Sequence, residues 1–424
     1  MTRRNCDDRR GTLRLQGGAL LGAVLWPAMA VAAISGQQGV DKFEGYALEQ
    51  LLYDSNLFRI PAAAGNLSEL ITPGARREDY IDRVSAGIDG DWTVAHQEIQ
   101  LDVSIDYNDY RYNSFLTNTS GHAHALWDWS FLSAWTGQVG ADYARSLSSF
   151  VNNKVFAKDL LDVQGYFATA NYRLRSGWSL TFAARHARAN HSVELQKVND
   201  SDTNSGSGGL KYESGSGNFA GVEYRHSAST YPYGTSIGGA SFDPQYRENT
   251  WNGYFSEALS AKMLLQGGAG YLQRHYPANH VLGFQPDFSG VIGHLSLQYH
   301  ATEKTAVVIA AQRQLRAYLN AESDYFVSDG VTVTPTWSPS DRWRVSLEYS
   351  YERQRYLGSS PDSAATNGLP SRVDTVHGAQ ASVRYTPLEH LELNLSYRYE
   401  KRDTNRPAYG YDDRNAFFNV RVIL

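Results

Sequence analysis

The chain has 424 residues, a formal net charge of −5 and 12% aromatic residues, 28 of them Tyr. Recurrent Tyr, Trp, Leu and Val exclude a disordered chain, and the charge leaves no basic stripe for nucleic acid. Beyond the leader there is no 18-residue apolar run, which excludes a helical span but not a barrel, whose strands bury only alternate residues.

The N-terminus reads as an export signal. Arg3, Arg4, Arg9, Arg10 and Arg14 precede the apolar run GALLGAVLWPAMAVAA, and Ala28-Met29-Ala30 suits a signal peptidase. Residues 1–30 are therefore expected to be a cleaved signal peptide, and residues 31–41 a short periplasmic segment. The leader holds five Arg and two Asp, so its removal takes the net charge from −5 to about −8. Cys6, the only cysteine, lies in the leader, so the exported chain has no disulfide.

Residues 42–424 are expected to form one transmembrane antiparallel β-barrel. Short turn signals recur along the chain at DGDW (89–92), SAWTG (133–137), RSGW (175–178), SGSGN (214–218), LSAK (259–262), ATEKT (301–305), WSPSDRW (337–343) and TPLEH (386–390). Longer polar stretches separate them, such as SVELQKVNDSDTNSGSG (192–208) and LGSSPDSAATNGLPSR (357–372). Eight short turns and nine long connections give about 18 strands, the first near 42–54 and the last near 414–424. Regions 203–229 and 320–337 alternate poorly.

The clearest strands alternate with a period of two. In EIQLDVSIDY (98–107), Ile99, Leu101, Val103, Ile105 and Tyr107 share one face, and Gln100, Asp102, Ser104 and Asp106 the other. RVSLEYSYE sets Leu347 and Tyr349 against Arg344, Glu348 and Glu352. LELNLSYRYE sets Leu393 and Leu395 against Glu392, Arg398 and Glu400. The final stretch NAFFNVRVIL places Phe418, Val420, Val422 and Leu424 on one face and Arg421 on the other, as a barrel-closing strand would. It ends in Leu, where most strands recognised by the barrel-insertion machinery end in an aromatic.

Trp92, Trp135, Trp178, Trp337 and Trp343 lie at or beside short turns, the place of an aromatic girdle at the headgroup level. The other face supplies a lumen lined by Asp102, Asp106, Arg344, Glu348, Glu352, Glu392, Arg398, Glu400 and Arg421. Mixed charge offers a hydrated polymer many weak contacts and no deep well. The Glu rows and their Arg neighbours favour a salt-bridge ladder across the lumen over a glycosidase pair. Asp54, Asn56 and Arg59 read as a turn after the first strand. His122 and His124 share a face, but no spacing fixes a third metal ligand, so a polar lumen position is favoured. The 192–208 loop has no EF-hand spacing.

YDSNLFRIP (53–61), with the phrases WSPSDRWRVSLEY and YTPLEHLELNLSY, resembles the EpsL-like family of outer-membrane barrels that accompany exopolysaccharide clusters. The resemblance implies a Gram-negative outer-membrane conduit for exopolysaccharide, fed by a periplasmic polysaccharide-export protein and needing no cofactor or metal. Beside it stand a structural or adhesive barrel with a blocked lumen and two further readings. One is a general or sugar-selective diffusion porin, bounded only by outer-membrane lipid. The other is an outer-membrane hydrolase, for which no nucleophile motif is present.

Overall fold

The computed structural model describes residues 42–424 apart from 63, 65–70, 96, 153–154, 238–239, 243–244, 278–286, 318–324 and 358–369. The expected export signal (1–30) and periplasmic segment (31–41) lie outside the described residues, as does most of the polar stretch 357–372.

Eighteen antiparallel strands close on themselves. In chain order they are β1 (Lys42–Asp54), β2 (Asp79–Val94), β3 (Gln97–Tyr110), β4 (Asn118–Phe131), β5 (Trp135–Leu147) and β6 (Leu160–Arg173). Then come β7 (Trp178–His191), β8 (Ser201–Glu213), β9 (Phe219–Thr230), β10 (Tyr246–Ser260), β11 (Met263–His275) and β12 (Phe288–Thr302). The last six are β13 (Thr305–Ala317), β14 (Tyr325–Ser340), β15 (Trp343–Leu357), β16 (Val373–Leu388), β17 (Leu391–Thr404) and β18 (Tyr411–Ile423). A short hairpin, Thr235–Ile237 with Ala240–Phe242, sits in the connection after β9.

Closure is made by β18 and β1, which pair from Tyr46↔Ile423 to Asp54↔Asn415. Among the described residues the barrel has no open edge, which a spanning sheet requires because hydrocarbon offers no partner to backbone N–H and C=O groups. Val422, Val420 and Phe418 alternate outward here. Leu424 lies just past the strand and donates its N–H to the Gly45 carbonyl at 2.7 Å.

The outer face is largely apolar, although Glu49 stands outward on β1 and His186 and Asn204 meet outward on β7 and β8. Val84, Ile105, Leu347, Leu395 and Phe418 are all more than 40% exposed, the arrangement expected when hydrocarbon replaces water as the outer solvent. Near the short turns the girdle is built from cross-strand pairs. Trp135, Trp178 and Trp343 stand directly opposite Tyr172, Tyr212 and Tyr385, with ring centroids 4.8, 5.1 and 4.2 Å apart. Trp92 meets Phe43 at 6.3 Å, and Trp337 is outward and half exposed. A second aromatic level holds Tyr53 against Tyr80 and Tyr224 against Trp251. From Trp92 to Tyr80 along β2, a rise of about 3.3 Å per residue and a tilt of about 40° give about 30 Å between levels, the thickness of a bilayer core.

Two sequence expectations are corrected. DGDW is not a turn: residues 89–92 lie inside β2, and the chain reverses at Ala95, which has φ 58°. Gly90 serves packing, since a Cβ there would lie 2.5 Å from the Trp92 ring. Half of the supposed loop 192–208 is strand, because β8 begins at Ser201. Its alternation is hidden by small residues on both faces, Gly206 and Gly208 outward and Ser205 and Ser207 inward. In β14, Pro335 lacks an N–H, and the β14–β15 ladder omits Thr334 and Pro335.

Candidate functional site

Alternation against the exposed apolar residues fixes which side chains enter the lumen. Asp102, Asp106, Arg344, Glu348, Glu352, Glu392, Arg398, Glu400 and Arg421 all take inward positions. Asp102 accepts from His122 Nε2 at 2.8 Å, and Asp106 from Ser120 Oγ at 3.5 Å. Glu352 accepts from Ser328 Oγ and Gln354 Nε2. Arg421 reaches Asp89 at 2.6 Å and stacks over Tyr46 at 4.0 Å.

The expected cross-lumen ladder is not what forms. Arg398 pairs with Glu400 on its own strand at 2.5 Å, and Glu392 with Arg384 on the neighbouring strand at 3.2 Å. Residues two apart on one face lie about 7 Å apart and are within reach of each other. The far wall of an 18-stranded barrel is not. His122 and His124 both point inward but separate, His122 to Ser104 and Asp102, His124 to Asp142 at 2.7 Å. No group of three metal-ligating side chains gathers among the described residues.

At the long-connection end, three loops fold together over one side of the mouth. These are the loops after β1, β3 and β5. Leu57, Phe58, Ile60, Leu116 and Phe150 form a buried cluster with Ile81 and Tyr110. Phe58 is fully buried, with Phe150 at 5.1 Å, Phe156 at 5.7 Å and Phe115 at 6.4 Å. Burying a Phe from water contributes about 2–3 kcal/mol, enough to hold a short loop against its entropy.

Polar anchors surround this cluster. Asp54, Asn56 and Arg59 form the turn that aims Phe58. Asn56 donates to the Ile60 and Asp412 carbonyls at 2.9 and 2.8 Å. Arg59, at a strained φ of 52°, bridges Asp54 at 3.0 Å and Asp413 at 2.8 Å. Burial disfavours its charge, but the two carboxylates more than offset this and raise its pKa. Asp79 accepts from the Tyr112 and Asn113 N–H groups at 2.9 Å, fixing the second loop.

The third loop reaches furthest. Arg402, inward on β17, donates to the Val151 carbonyl at 3.2 Å and Asn152 Oδ1 at 3.0 Å. Strand β5 is six strands from β17 around the barrel, so this loop runs as a chord across the opening. Asp159 closes its base, taking hydrogen bonds from Ser192 N at 3.0 Å and Val193 N at 3.1 Å and meeting His191 Nδ1 at 2.5 Å. Burial raises its pKa, but these hydrogen bonds and the His191 charge outweigh that and hold the carboxyl below its ordinary range. The sequence reading did not single out Phe58, Phe150, Asp159 or Arg402. The apolar LFRI within a polar connection is the one local signal that was available.

A concavity of about 940 Å³ lies elsewhere, on the outer face, with Trp127, Ala168, Ala184 and Gly206 among its lining. It opens toward hydrocarbon and is not on the solute path.

A model of the family described as Putative beta-barrel porin 2 matches residues 258–423. The chain is a transmembrane β-barrel of the outer-membrane type, and over residues 258–423 it is similar to that porin family. No curated protein matches the sequence. Similar solved structures include OpdL of Pseudomonas aeruginosa, with 11% identity, coverage of 90% of this chain and 99% of that one, and a TM-score of 0.46. A BenF-like porin from Pseudomonas fluorescens Pf-5 has 11% identity, coverage of 91% and 99%, and a TM-score of 0.48. The siderophore receptor PirA of P. aeruginosa has 11% identity, coverage of 92% and 81%, and a TM-score of 0.44. The matching family model is a porin model, and none of these matches carries the expected link to exopolysaccharide export.

Proposed function

We propose that the protein is a non-catalytic diffusion channel for small hydrophilic solutes. The observation that carries this reading is the loop chord from β5 to Arg402, with the Phe58 cluster beneath it. Together they cover part of the mouth while leaving a charged, hydrated wall below. Eighteen strands enclose a water-filled bore unless something fills it. A partial cover narrows that bore to the scale of small solutes. Passage then depends on many shallow contacts with the lumen residues named above.

Exopolysaccharide export is the second reading, supported by the resemblance of YDSNLFRIP and the two hairpin phrases. It requires the loop chord to swing aside for a polymer. It also requires a periplasmic export protein to dock at the short turns. The mouth as built favours the small-solute channel. Single-channel recording in planar bilayers, with and without exopolysaccharide, separates the two. Conductance indifferent to polymer supports the diffusion channel, and polymer-dependent block supports the conduit.

A further inference from the structure

The lumen charges are unevenly distributed. Strands β2 to β5 turn Asp89, Glu98, Asp102, Asp106, Asp128 and Asp142 inward. Arg83 is the one Lys or Arg among the described inward positions of these four strands, and it is engaged with Asn108 at 2.6 Å. Around the rest of the wall many arginines and lysines lie beside acids, although Arg316 meets Gln314 and Arg344 stands opposite Arg384. Lys211 meets Glu213, Arg225 meets Glu223, Arg274 meets Glu248, and Arg384 meets Glu392.

The strand register makes the imbalance sharper. Asp89 stands directly opposite Asp102, and Glu98 directly opposite Asp128. Like charges in facing positions destabilise a ladder. Part of the charge is relieved, by Arg421 on Asp89 and by Arg185 at 3.6 Å from Asp142, while His122 and His124 hydrogen-bond Asp102 and Asp142. The rest is not. Asp128 is held by Gln138 Nε2 at 2.7 Å, Glu98 by Gln100 Nε2 at 2.8 Å, and Asp106 by Ser120. These neutral donors orient the carboxylates and bring no opposite charge. A sequence that breaks a local pairing rule without neutralising the result has usually been held there by function.

We infer that the channel prefers cations, and that β2 to β5 form the wall along which a cationic solute passes. This rests on the diffusion-channel reading above. A low-dielectric wall lined by one sign of charge concentrates counter-ions within it and depletes co-ions. The opposite wall, where inward acids and bases are mixed, adds less to that field.

The test is the reversal potential of the refolded protein in a planar bilayer under a KCl gradient. The wild type should show a potential of the sign that marks K⁺ over Cl⁻. The triple variant Asp102→Asn, Asp106→Asn, Asp128→Asn should shift it toward zero. Retained heat-modifiable mobility on gels will show that the variant barrel is folded. A wild-type channel that conducts without cation preference overturns this inference and leaves the diffusion channel standing. A triple variant with unchanged selectivity also overturns it. No current from either the wild type or an Arg402→Ala barrel overturns the channel reading and this inference with it.

Discussion

Arg402 on β17 and Asn152 in the loop after β5 are 250 residues apart in sequence and joined by a 3.0 Å hydrogen bond. The Val151 carbonyl shares the same guanidinium. This contact holds the loop as a chord over the mouth. Arg402→Ala should release it. Losing hydrogen bonds to a charged group costs about 1.5–3 kcal/mol each, and the single-channel conductance should rise. An unchanged conductance would show that the loop does not limit the path.

Phe58 is the centre of the cluster beneath that chord. Phe58→Ala removes the ring from contact with Phe115, Phe150 and Phe156 and should destabilise the cluster by about 3–5 kcal/mol. The barrel itself is closed by its ladder and should survive. Hydrogen exchange should therefore quicken at residues 55–60 and 114–116 while the strand amides stay protected. Uniform loss of protection would contradict a locally stabilised mouth.

Asp159 makes the base of the same loop dependent on pH. Its folded carboxyl lies below the ordinary range, so its contribution is fully present above the unfolded value of about 3.9. The contribution is lost as the pH falls through the lower folded value. Relative to the strand amides, hydrogen exchange at residues 148–152 should become faster as the pH falls through that value than it is at pH 5. Asp159→Asn should remove most of that difference.

The facing of each strand can be tested with one pair of substitutions. Leu395 is 58% exposed on the outer face, and Ser396 is 6% exposed on the inner face. Leu395→Arg puts a charge into hydrocarbon and should cost about 2–4 kcal/mol in reversible unfolding from lipid or detergent. Ser396→Arg enters a wet lumen and should cost much less. A reversed order would mean the register is slipped by one residue.

The barrel was legible because its outer face obeys one simple rule. Ile99 to Tyr107 and Leu393 to Tyr399 alternate cleanly, since lipid demands an apolar side chain at every second position. The rule fails where Gly206 and Gly208 face outward, because glycine carries no hydropathy signal. It also led to a misplaced first turn, where Asp89 and Asp91 are lumen residues and Gly90 makes room for Trp92. The lumen charges were visible as a set, but their partners were not. Arg398 meets Glu400 two residues away, whereas Arg421 meets Asp89 on β2, and only the closed ladder decides that. The mouth was hidden for a different reason. Phe58, Phe150 and Arg402 come from three connections and strands with no period linking them, and their meeting is a property of the tertiary fold alone.

The central claim is that the covered mouth passes small solutes and excludes a long polymer. Swelling of liposomes carrying the refolded protein, in sugars of graded size, tests it most directly. The account predicts rapid swelling in monosaccharides, a steep fall through the oligosaccharides, and a cutoff that moves to larger sugars in Arg402→Ala. Entry of long polysaccharide into wild-type liposomes, or no swelling in any sugar, would contradict it.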